Sequence, residues 1–210
     1  MTAASARTNR DAGAIDLVVV TKYASLTDVR EVITSRRVLE VGENRVQDAE
    51  KKKLSLGALA DMVRWRLIGH LQTNKARKAV SVFDAIDSVD SLKLASTLDA
   101  AMTGANHKLP VMIQVKLSER QTQFGVRPEN LPELIGGVRR CSNLELQGLM
   151  GIAPDIEPVE AVRPSFRLLR SLRDKHLLGG KLSMGMSRDF EIAIEEGSDM
   201  IRIGTQIFAP

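Results

Sequence analysis

Apolar runs of strand length alternate with longer amphipathic stretches from one end of the chain to the other. Short continuous apolar runs are typical of strands buried on both faces, and apolar positions three and four residues apart are typical of helices. The pattern predicts eight strands, near Asp16–Thr21, Val38–Val41, Arg64–Ile68, Ala85–Val89, Pro110–Leu117, Leu144–Leu149, Lys181–Met184 and Met200–Ile203. It predicts intervening helices near Leu26–Ser35, Arg45–Leu54, Asn74–Val82, Ser91–Met102, Pro128–Arg140, Glu157–His176 and Arg188–Glu195.

This alternation indicates an α/β fold with a parallel sheet covered on both faces. Eight strands with intervening helices are the number in a (β/α)8 TIM barrel, so we predict a single barrel domain spanning residues 1–210. An open doubly wound sheet is the alternative. No GxGxxG follows the first strand and no GxxxxGK[ST] occurs anywhere, so the common nucleotide-binding loops do not support that alternative.

Composition removes several classes of partner. The chain has 30 basic and 26 acidic residues and only 3% aromatic residues, which is a poor match to nucleic-acid binding. No apolar run approaches the roughly 20 residues needed to cross a bilayer. Residues 1–13 are polar, and we expect them to be disordered. With no apolar signal core and with Cys141 as the single cysteine, we expect a cytoplasmic protein without an intramolecular disulfide. The run Lys51-Lys52-Lys53 is interpreted as a solvated helix face.

Polar groups and glycines follow six of the predicted strands, where a barrel collects its functional groups. These strand ends are Lys22, Gly42-Glu43-Asn44, Gly69-His70-Leu71-Gln72, Met150-Gly151, Met184-Gly185-Met186-Ser187 and Arg202-Ile203-Gly204-Thr205. Glycines in such positions indicate that the backbone is exposed to a ligand.

Lys22 ends the first predicted strand. A lysine carried from an apolar strand into a cleft loses hydration, which favours the neutral amine that attacks an aldehyde. The alternative is that the strand surfaces at its last residue and the ammonium group extends into water, which is the more common fate of a lone lysine.

The last two strand ends change that balance. Ser187 precedes a predicted helix and Gly204-Thr205 follows the eighth strand, so both offer hydroxyl and backbone N–H groups of the kind that bind a phosphate. In a closed barrel the first and eighth strands are neighbours, and Lys22 would face this phosphate site. An aldehyde that carries a phosphate is therefore the expected ligand, namely pyridoxal 5′-phosphate, with Arg202 placed to donate to the pyridine nitrogen.

These residues lie in motifs that resemble the pyridoxal phosphate homeostasis protein family over nearly the whole chain. The motifs are Val18-Val19-Val20-Thr21-Lys22, Gly42-Glu43-Asn44-Arg45-Val46-Gln47, residues 65–75 (WRLIGHLQTNK), residues 146–150 (LQGLM), residues 182–187 (LSMGMS) and residues 200–208 (MIRIGTQIF). The resemblance implies a barrel similar to the amino-terminal domain of bacterial alanine racemase, which binds the cofactor without an established catalytic activity. It implies an aldimine on Lys22, phosphate contacts from Ser187, Gly204 and Thr205, and Arg202 at the pyridine nitrogen. By the same resemblance Asn44 and His70 line the pocket, and we count Met150 among the cofactor-binding residues.

The chain departs from the family pattern in four places. The stretch before the first strand is shorter than usual, so we expect the helix at the barrel bottom to be absent or frayed. Lys116 stands where the family suggests an asparagine, and residues 121–125 (QTQFG) have Gln123 in a loop that lacks the usual lysine before its glycine. Tyr23 stands in place of a threonine. These departures leave the contacts at the rim of the cofactor site open.

Catalysis is less expected than binding. Racemisation through a planar carbanion needs a base on each face of the cofactor. The resemblance to alanine racemase implies that the second base would be a tyrosine from another domain. This sequence stops shortly after strand eight, and its single tyrosine, Tyr23, would point away from Lys22 if the strand continued. An arginine at the pyridine nitrogen also keeps that atom unprotonated and weakens the ring as an electron sink.

The leading hypothesis is a monomeric protein that holds pyridoxal phosphate as an aldimine on Lys22. It would serve intracellular pyridoxal phosphate homeostasis and delivery to apoenzymes, without robust catalysis. One alternative is a slow pyridoxal phosphate-dependent amino acid racemase that uses Lys22 with an unassigned base such as His70. Another is a phosphosugar aldolase barrel in which Lys22 meets a ketose.

Overall fold

The structure is a computed structural model that describes residues 1–118, 120 and 123–208. Eight parallel strands form a closed barrel in chain order, from β1 to β8. The predicted (β/α)8 barrel is confirmed, and the open doubly wound alternative is wrong because β1 pairs with β8, with Val18 in register with Arg202. The strands are β1 Asp16–Val20, β2 Glu40–Glu43, β3 Arg64–Leu67, β4 Ala85–Val89, β5 Leu109–Val115, β6 Leu144–Gly151, β7 Lys181–Ser183 and β8 Met200–Ile203.

Helices follow the strands and cover the outside of the barrel. They are α1 Thr2–Arg7, α2 Leu26–Thr34, α3 Val46–Leu56, α4 Ala76–Val80, α5 Leu92–Ala101, α6 Leu131–Arg140, α7 Arg163–His176, α8 Phe190–Glu195 and α9 Thr205–Phe208. Short 3-10 helices span Ala12–Ala14, Gly57–Met62, Thr73–Lys75, Pro128–Asn130 and Val159–Val162. Each of the seven helices expected from the amphipathic pattern has a counterpart, with ends shifted by a few residues.

Helix α2 shows how local sequence sets these elements. Ser25 accepts the backbone N–H of Asp28, and the Asp28 carboxylate accepts the backbone N–H of Ser25, so the first turn of α2 is capped in both directions. The buried residues Val29 and Ile33 then recur four apart and face the barrel. The packing of such stripes against apolar strands forms one large apolar layer around the barrel, in which Trp65 and Phe166 are fully buried.

The barrel interior also contains buried charge. Arg66 of β3 donates to both carboxylate oxygens of Asp87 of β4, at 2.8 and 2.7 Å, and to Glu40 of β2 at 3.2 Å. Desolvation lowers the pKa of Arg66, but the charge of Asp87 and its hydrogen bonds outweigh that effect, and the net pKa is raised. Arg202 of β8 interacts electrostatically with both Arg66 and Asp87 although β8 borders neither β3 nor β4. These charges therefore meet across the barrel interior, below its carboxyl-terminal mouth.

Residues 1–13 differ from the expectation of a disordered segment without a stable helix. Helix α1 covers Thr2–Arg7, and Ala4 is buried in a small apolar cluster with Ile194 and Ile201. Arg7 forms ion pairs with the carboxylates of α8, and Arg10 pairs with Asp199 at 3.0 Å. The expectation was wrong because small side chains and ion pairs dock this segment, and neither leaves an apolar periodicity in the sequence.

Candidate functional site

A cavity of about 840 Å³ opens at the carboxyl ends of the strands. Seven of the eight residues predicted to bind the cofactor line it, and they are Lys22, Asn44, His70, Ser187, Arg202, Gly204 and Thr205. Met150 is the exception, because it is fully buried and does not reach the cavity. Strand β6 continues to Gly151, and the cavity wall is formed by the residues that follow, from Ile152 onwards. Met150 was placed at a strand end in the sequence because the apolar run indicated a shorter strand than β6, which extends to Gly151.

Lys22 lies in a tight turn directly after β1. The strand ends at Val20, and the backbone N–H of Ala24 donates to the carbonyl oxygen of Thr21 at 3.0 Å, so that Lys22 and Tyr23 are the two central residues of the turn. The Lys22 Nζ atom is 4.8 Å from the centroid of the Tyr23 ring. Tyr23 was expected to point away from Lys22 if the strand continued, but β1 ends at Val20 and side chains alternate only within a strand. Both side chains line the cavity and are exposed at its mouth.

Arg202 reaches the cavity from β8 although its side chain is almost completely buried. It donates to the hydroxyl of Ser183 at 2.7 Å and to the carbonyl oxygen of Gly151 at 2.9 Å. Its pKa is lowered to about 10, mainly by desolvation and also by the nearby Arg66, against the opposing attraction of Asp87 and Asp189. Within the described part of the chain the guanidinium makes these two hydrogen bonds, so donors remain for an acceptor in the cavity. Such a group favours a ligand with an acceptor atom or negative charge.

The segments after β7 and β8 form a second donor group. Among the described residues, the backbone N–H groups and hydroxyls of Ser187 and Thr205 make no hydrogen bond. The two segments are held together, because Gln206 Nε2 donates to the carbonyl oxygen of Ser187 at 2.8 Å. Gly204 lies against β1, where an added Cβ would be 2.9 Å from the carbonyl oxygen of Val20. Unpaired N–H and O–H donors at adjoining strand ends are suited to an anion such as a phosphate.

His70 forms an aromatic wall with a residue that the sequence analysis missed. Its ring stacks on that of Phe124 with centroids 3.8 Å apart and an interplanar angle of 9°. His70 Nδ1 lies 3.3 Å from a carboxylate oxygen of Asp90, which orients the imidazole. Phe124 is held in turn, because its carbonyl oxygen accepts a hydrogen bond from Gln114 Nε2 at 3.0 Å. Nothing in the apolar pattern marks Phe124, because it lies in a loop.

The loop after β5, at the rim of the cavity, contains two of the departures from the family pattern, Lys116 and Gln123. Gln123 lines the cavity, accepts the backbone N–H of Ser118 at 2.8 Å and donates to the carbonyl oxygen of Ile152 at 2.6 Å. Lys116 does not line the cavity. Gln121 and Thr122 lie outside the described residues. Gln123 therefore ties the rim loop to the segment after β6.

Asp189 is a second residue that the sequence analysis missed. It lines the cavity and accepts the backbone N–H of Met186 at 2.6 Å, which shapes the turn before α8. Burial raises the pKa of its carboxyl group, against the lowering effect of that hydrogen bond and of Arg202. The nearby Ser187 drew attention to this segment, but the turn itself could not be derived from the strand pattern.

Two further kinds of site find no support in the described residues. They contain no group of three or more His, Cys, Asp or Glu side chains that could hold a metal ion. In residues 1–118, 120 and 123–208, no helix has the length and apolarity to cross a membrane.

The residues around the cavity fit a ligand that carries both an aldehyde and a phosphate. Lys22 supplies an accessible amine, and Ser187 and Thr205 supply free donors beside the end of β1. Arg202 supplies a buried cation with unused donors between these groups and the barrel interior. This set of groups matches the chemistry expected for pyridoxal 5′-phosphate.

Comparison with known proteins agrees with this description. A sequence model of the family described as "Alanine racemase, N-terminal domain" matches residues 6–209. The pyridoxal phosphate homeostasis protein of Aquifex aeolicus (strain VF5) is 43% identical over 173 residues, which cover 80% of this chain and 75% of that protein. The pyridoxal phosphate homeostasis protein of Pseudomonas aeruginosa PAO1 is 37% identical over 95% of this chain and 86% of its own length.

A solved structure extends the likeness to the full fold. PipY of Synechococcus elongatus PCC7942 with PLP bound is 33% identical and superposes with a TM-score of 0.83. The superposition covers 99% of this chain and 98% of the PipY chain. The resemblance inferred from the strand-end motifs is confirmed. The chain belongs to the alanine racemase N-terminal domain family, and it groups there with the pyridoxal phosphate homeostasis proteins.

Proposed function

We propose that this protein binds pyridoxal 5′-phosphate in the cavity at the barrel mouth and holds it as an aldimine on Lys22. The observation that carries the proposal is that the turn with Lys22, the unpaired donors of Ser187 and Thr205, and the buried Arg202 all open into one cavity. The names of the related homeostasis proteins and the PLP-bound PipY structure support it.

Each lining group has a proposed part. The Lys22 amine attaches the cofactor reversibly, and the N–H and O–H groups of Ser187, Gly204 and Thr205 bind its phosphate. Arg202 donates to the pyridine nitrogen, and Asn44 and the His70 ring form the wall of the site. When bound, the cofactor supplies an electrophilic aldehyde and a ring that can accept electron density.

We propose a role in intracellular homeostasis and delivery of the cofactor, not robust catalysis. Arg202 is a donor, and a donor at the pyridine nitrogen keeps that atom unprotonated, which limits the ring as an electron sink. A free aldehyde reacts with many amines, so a protein that holds it reversibly protects it until an apoenzyme takes it up. We further propose that residues 1–210 act as one domain and that the protein is a cytoplasmic monomer. Light scattering of the purified protein tests whether it is monomeric.

The test is a titration of cofactor-free protein with pyridoxal phosphate, followed by visible absorbance and by reduction with borohydride. We expect a new band in the wild type and, after reduction, a mass increase located on Lys22. Lys22→Ala should lose both signals, and Lys51→Ala, which removes an exposed lysine of α3, should retain both. The proposal fails if the wild type takes up no cofactor, or if reduction places the cofactor on another lysine.

A slow amino acid racemase is the second candidate, and one observation favours it. Tyr23 lines the same cavity as Lys22 and His70, so the cavity holds two further side chains able to transfer protons. Incubation of the loaded protein with single enantiomers distinguishes the two functions. We expect no detectable inversion. Inversion that is lost in Tyr23→Phe or His70→Gln would establish the racemase instead.

The aldolase alternative is tested with the same trapping chemistry. Borohydride reduction in the presence of a ketose phosphate should leave Lys22 unmodified if pyridoxal phosphate is the ligand. Trapping of the ketose, but not of the cofactor, would favour the aldolase.

A further inference from the structure

The carbonyl oxygen that closes the Lys22 turn has a second partner. Besides the N–H of Ala24, the Thr21 carbonyl oxygen accepts a hydrogen bond from Nζ of Lys52, which lies on α3. Lys52 is thus attached to the peptide bond that immediately precedes Lys22. Its ammonium group fixes the first corner of the turn from outside the barrel.

Lys52 is itself held by a buried carboxylate. Its Nζ atom is 2.6 Å from Oε1 of Glu43, and the same oxygen accepts the hydroxyl of Thr21 at 2.6 Å. Glu43 and Thr21 are fully buried, and Oε2 of Glu43 has no hydrogen-bond partner in the part of the chain that the structure describes. Thr21 is therefore bound at two points, with its carbonyl oxygen on Lys52 and its hydroxyl on Glu43.

Stability alone is a weak reason for this arrangement. A buried ion pair loses hydration that its mutual attraction only partly offsets, and an apolar pair of similar volume often does as well or better. The unpaired carboxylate oxygen adds to the unfavourable side. What the pair achieves is orientation, because within the described part of the chain every hydrogen bond that these two side chains make to a third residue goes to Thr21.

We propose that Lys52, held by Glu43, is a positioning residue that fixes the turn carrying Lys22 and so prepares its amine for the cofactor. The inference rests on the proposed function and deepens it. Preorganisation of a reacting group is worth a large factor, since a misplacement of about 1 Å can cost roughly a hundredfold. With Lys52 and Glu43 in place, the turn that carries the Lys22 amine is held in one conformation before the ligand binds.

The adjacent lysines show that this contact is specific to Lys52. Lys51 is exposed to solvent. Lys53 donates to the carbonyl oxygen of Val82 at 2.8 Å and lies 5.7 Å from the ring centroid of Trp65. The interpretation of the three lysines as one solvated face is wrong for Lys52 and Lys53. Successive residues of a helix point in different directions, so Lys52 contacts Thr21 and Lys53 contacts Val82. Lys51 therefore provides a control from the same helix.

The experiment compares Lys52→Met and Lys51→Met with the wild type. Lys52→Met leaves the buried Glu43 carboxylate without its partner and is expected to be unstable, so the double variant Glu43→Gln/Lys52→Met is tested beside it. The double variant removes both charges and keeps the volume. Lys52→Arg, which keeps the charge and the donor, is the conservative variant.

Two readouts are needed. The first is hydrogen exchange of the Ala24 amide in cofactor-free protein, which reports on the turn without any ligand. The second is the dissociation constant for pyridoxal phosphate from the absorbance titration. In the double variant we expect at least about tenfold faster exchange at Ala24 and about tenfold to hundredfold weaker binding. Lys52→Arg should recover part of both, and Lys51→Met should match the wild type.

The outcomes separate the two proposals. If wild-type protein takes up no cofactor while Ala24 exchange is accelerated in the double variant, the function fails and the positioning of the turn stands. If the folded double variant binds the cofactor with wild-type affinity, or exchanges at Ala24 at the wild-type rate, the positioning role is refuted. The positioning role is also refuted if the double variant binds weakly but its free energy of unfolding falls by as much as the protection of the Ala24 amide does. Exchange would then report global unfolding and not a local loosening of the turn.

Discussion

The two arginines buried in the barrel should respond to the same substitution to very different extents. Arg66 and Arg202 are 1% and 3% exposed, yet the pKa of Arg66 is raised by its carboxylate partners and that of Arg202 is lowered to about 10. We therefore predict that Arg66→Met strongly destabilises the cofactor-free protein, and that Arg202→Met destabilises it less while it impairs cofactor binding.

The magnitudes follow from the contacts of each guanidinium. For Arg202, a fall in pKa from 12.5 to about 10 corresponds to roughly 3 kcal/mol by which the folded state disfavours the charge. Its hydrogen bonds to Ser183 and Gly151 offset this, at about 1.5–3 kcal/mol each for a charged donor. The two contributions partly cancel, because the two bonds together contribute about 3–6 kcal/mol, so Arg202→Met should lower the free energy of unfolding by no more than about 3 kcal/mol.

Arg66 has no such cancellation. Its removal leaves the fully buried Asp87 without its cation, and it leaves the largely buried Glu40 with only Arg64, at 3.8 Å, among the described residues. Breaking a buried ion pair by removing one partner costs about 3–5 kcal/mol, and that is the expected effect of Arg66→Met.

The assay is urea unfolding of cofactor-free protein, followed by the fluorescence of Trp65, which is the only tryptophan and is fully buried. The dissociation constant for pyridoxal phosphate is measured on the same samples, and Arg202→Met should raise it at least about tenfold, since it removes a charged hydrogen bond worth about 1.5–3 kcal/mol. The reasoning is refuted if Arg202→Met destabilises the protein as much as Arg66→Met does. It is also refuted if Arg202→Met binds the cofactor as tightly as the wild type.

Three other predictions test separate parts of the structure. Gly69→Ala should cost about 1–3 kcal/mol, because the new Cβ would lie 2.3 Å from the carbonyl oxygen of Asn44, whereas Gly136→Ala, within α6 and with its nearest neighbour 3.6 Å away, should stabilise by about 0.5–1 kcal/mol. Urea unfolding measures both, and equal effects would contradict the steric argument. Burial raises the pKa of Asp189 above its ordinary value of 3.8, so the folded state binds this proton more tightly than the unfolded state does. The folded state therefore loses stability as pH rises from that ordinary value through the raised pKa. Asp189→Asn should therefore gain more stability at pH 7 than at pH 4, and a gain independent of pH would count against it. Burial also raises the pKa of Cys141, so at pH 8 a thiol reagent should modify the native protein more slowly than the urea-unfolded protein, and equal rates would show otherwise.

The barrel could be predicted because strands buried on both faces appear as apolar runs that polar residues do not interrupt. Strand β4, with all five residues buried, was located without error. Strand β2 was placed too early, at Val38–Val41, whereas it spans Glu40–Glu43. Its last residue is a buried glutamate, and its burial depends on the ion pair with Lys52, which no local pattern reveals.

The site was predictable to the extent that strand ends converge. A residue at the carboxyl end of a barrel strand reaches the mouth whatever its distance in sequence, which is why Asn44, His70 and Arg202 line the same cavity. The loops are different, because their conformations depend on contacts such as the hydrogen bond from Gln114 to Phe124. Tyr23 belongs to this class, since its direction is set by a turn and not by a strand.

The pairing of β1 with β8 has a consequence for how the protein becomes competent to bind. The proposed amine anchor follows the first strand and the proposed phosphate anchors follow the last, and the two strands meet only when the barrel closes. A nascent chain on the ribosome that has not yet released residues 200–205 has the lysine but none of the eighth-strand donors. Loading with the cofactor would then signal that β8 has been made and that the barrel has closed, and ligand binding would oppose local opening between β1 and β8.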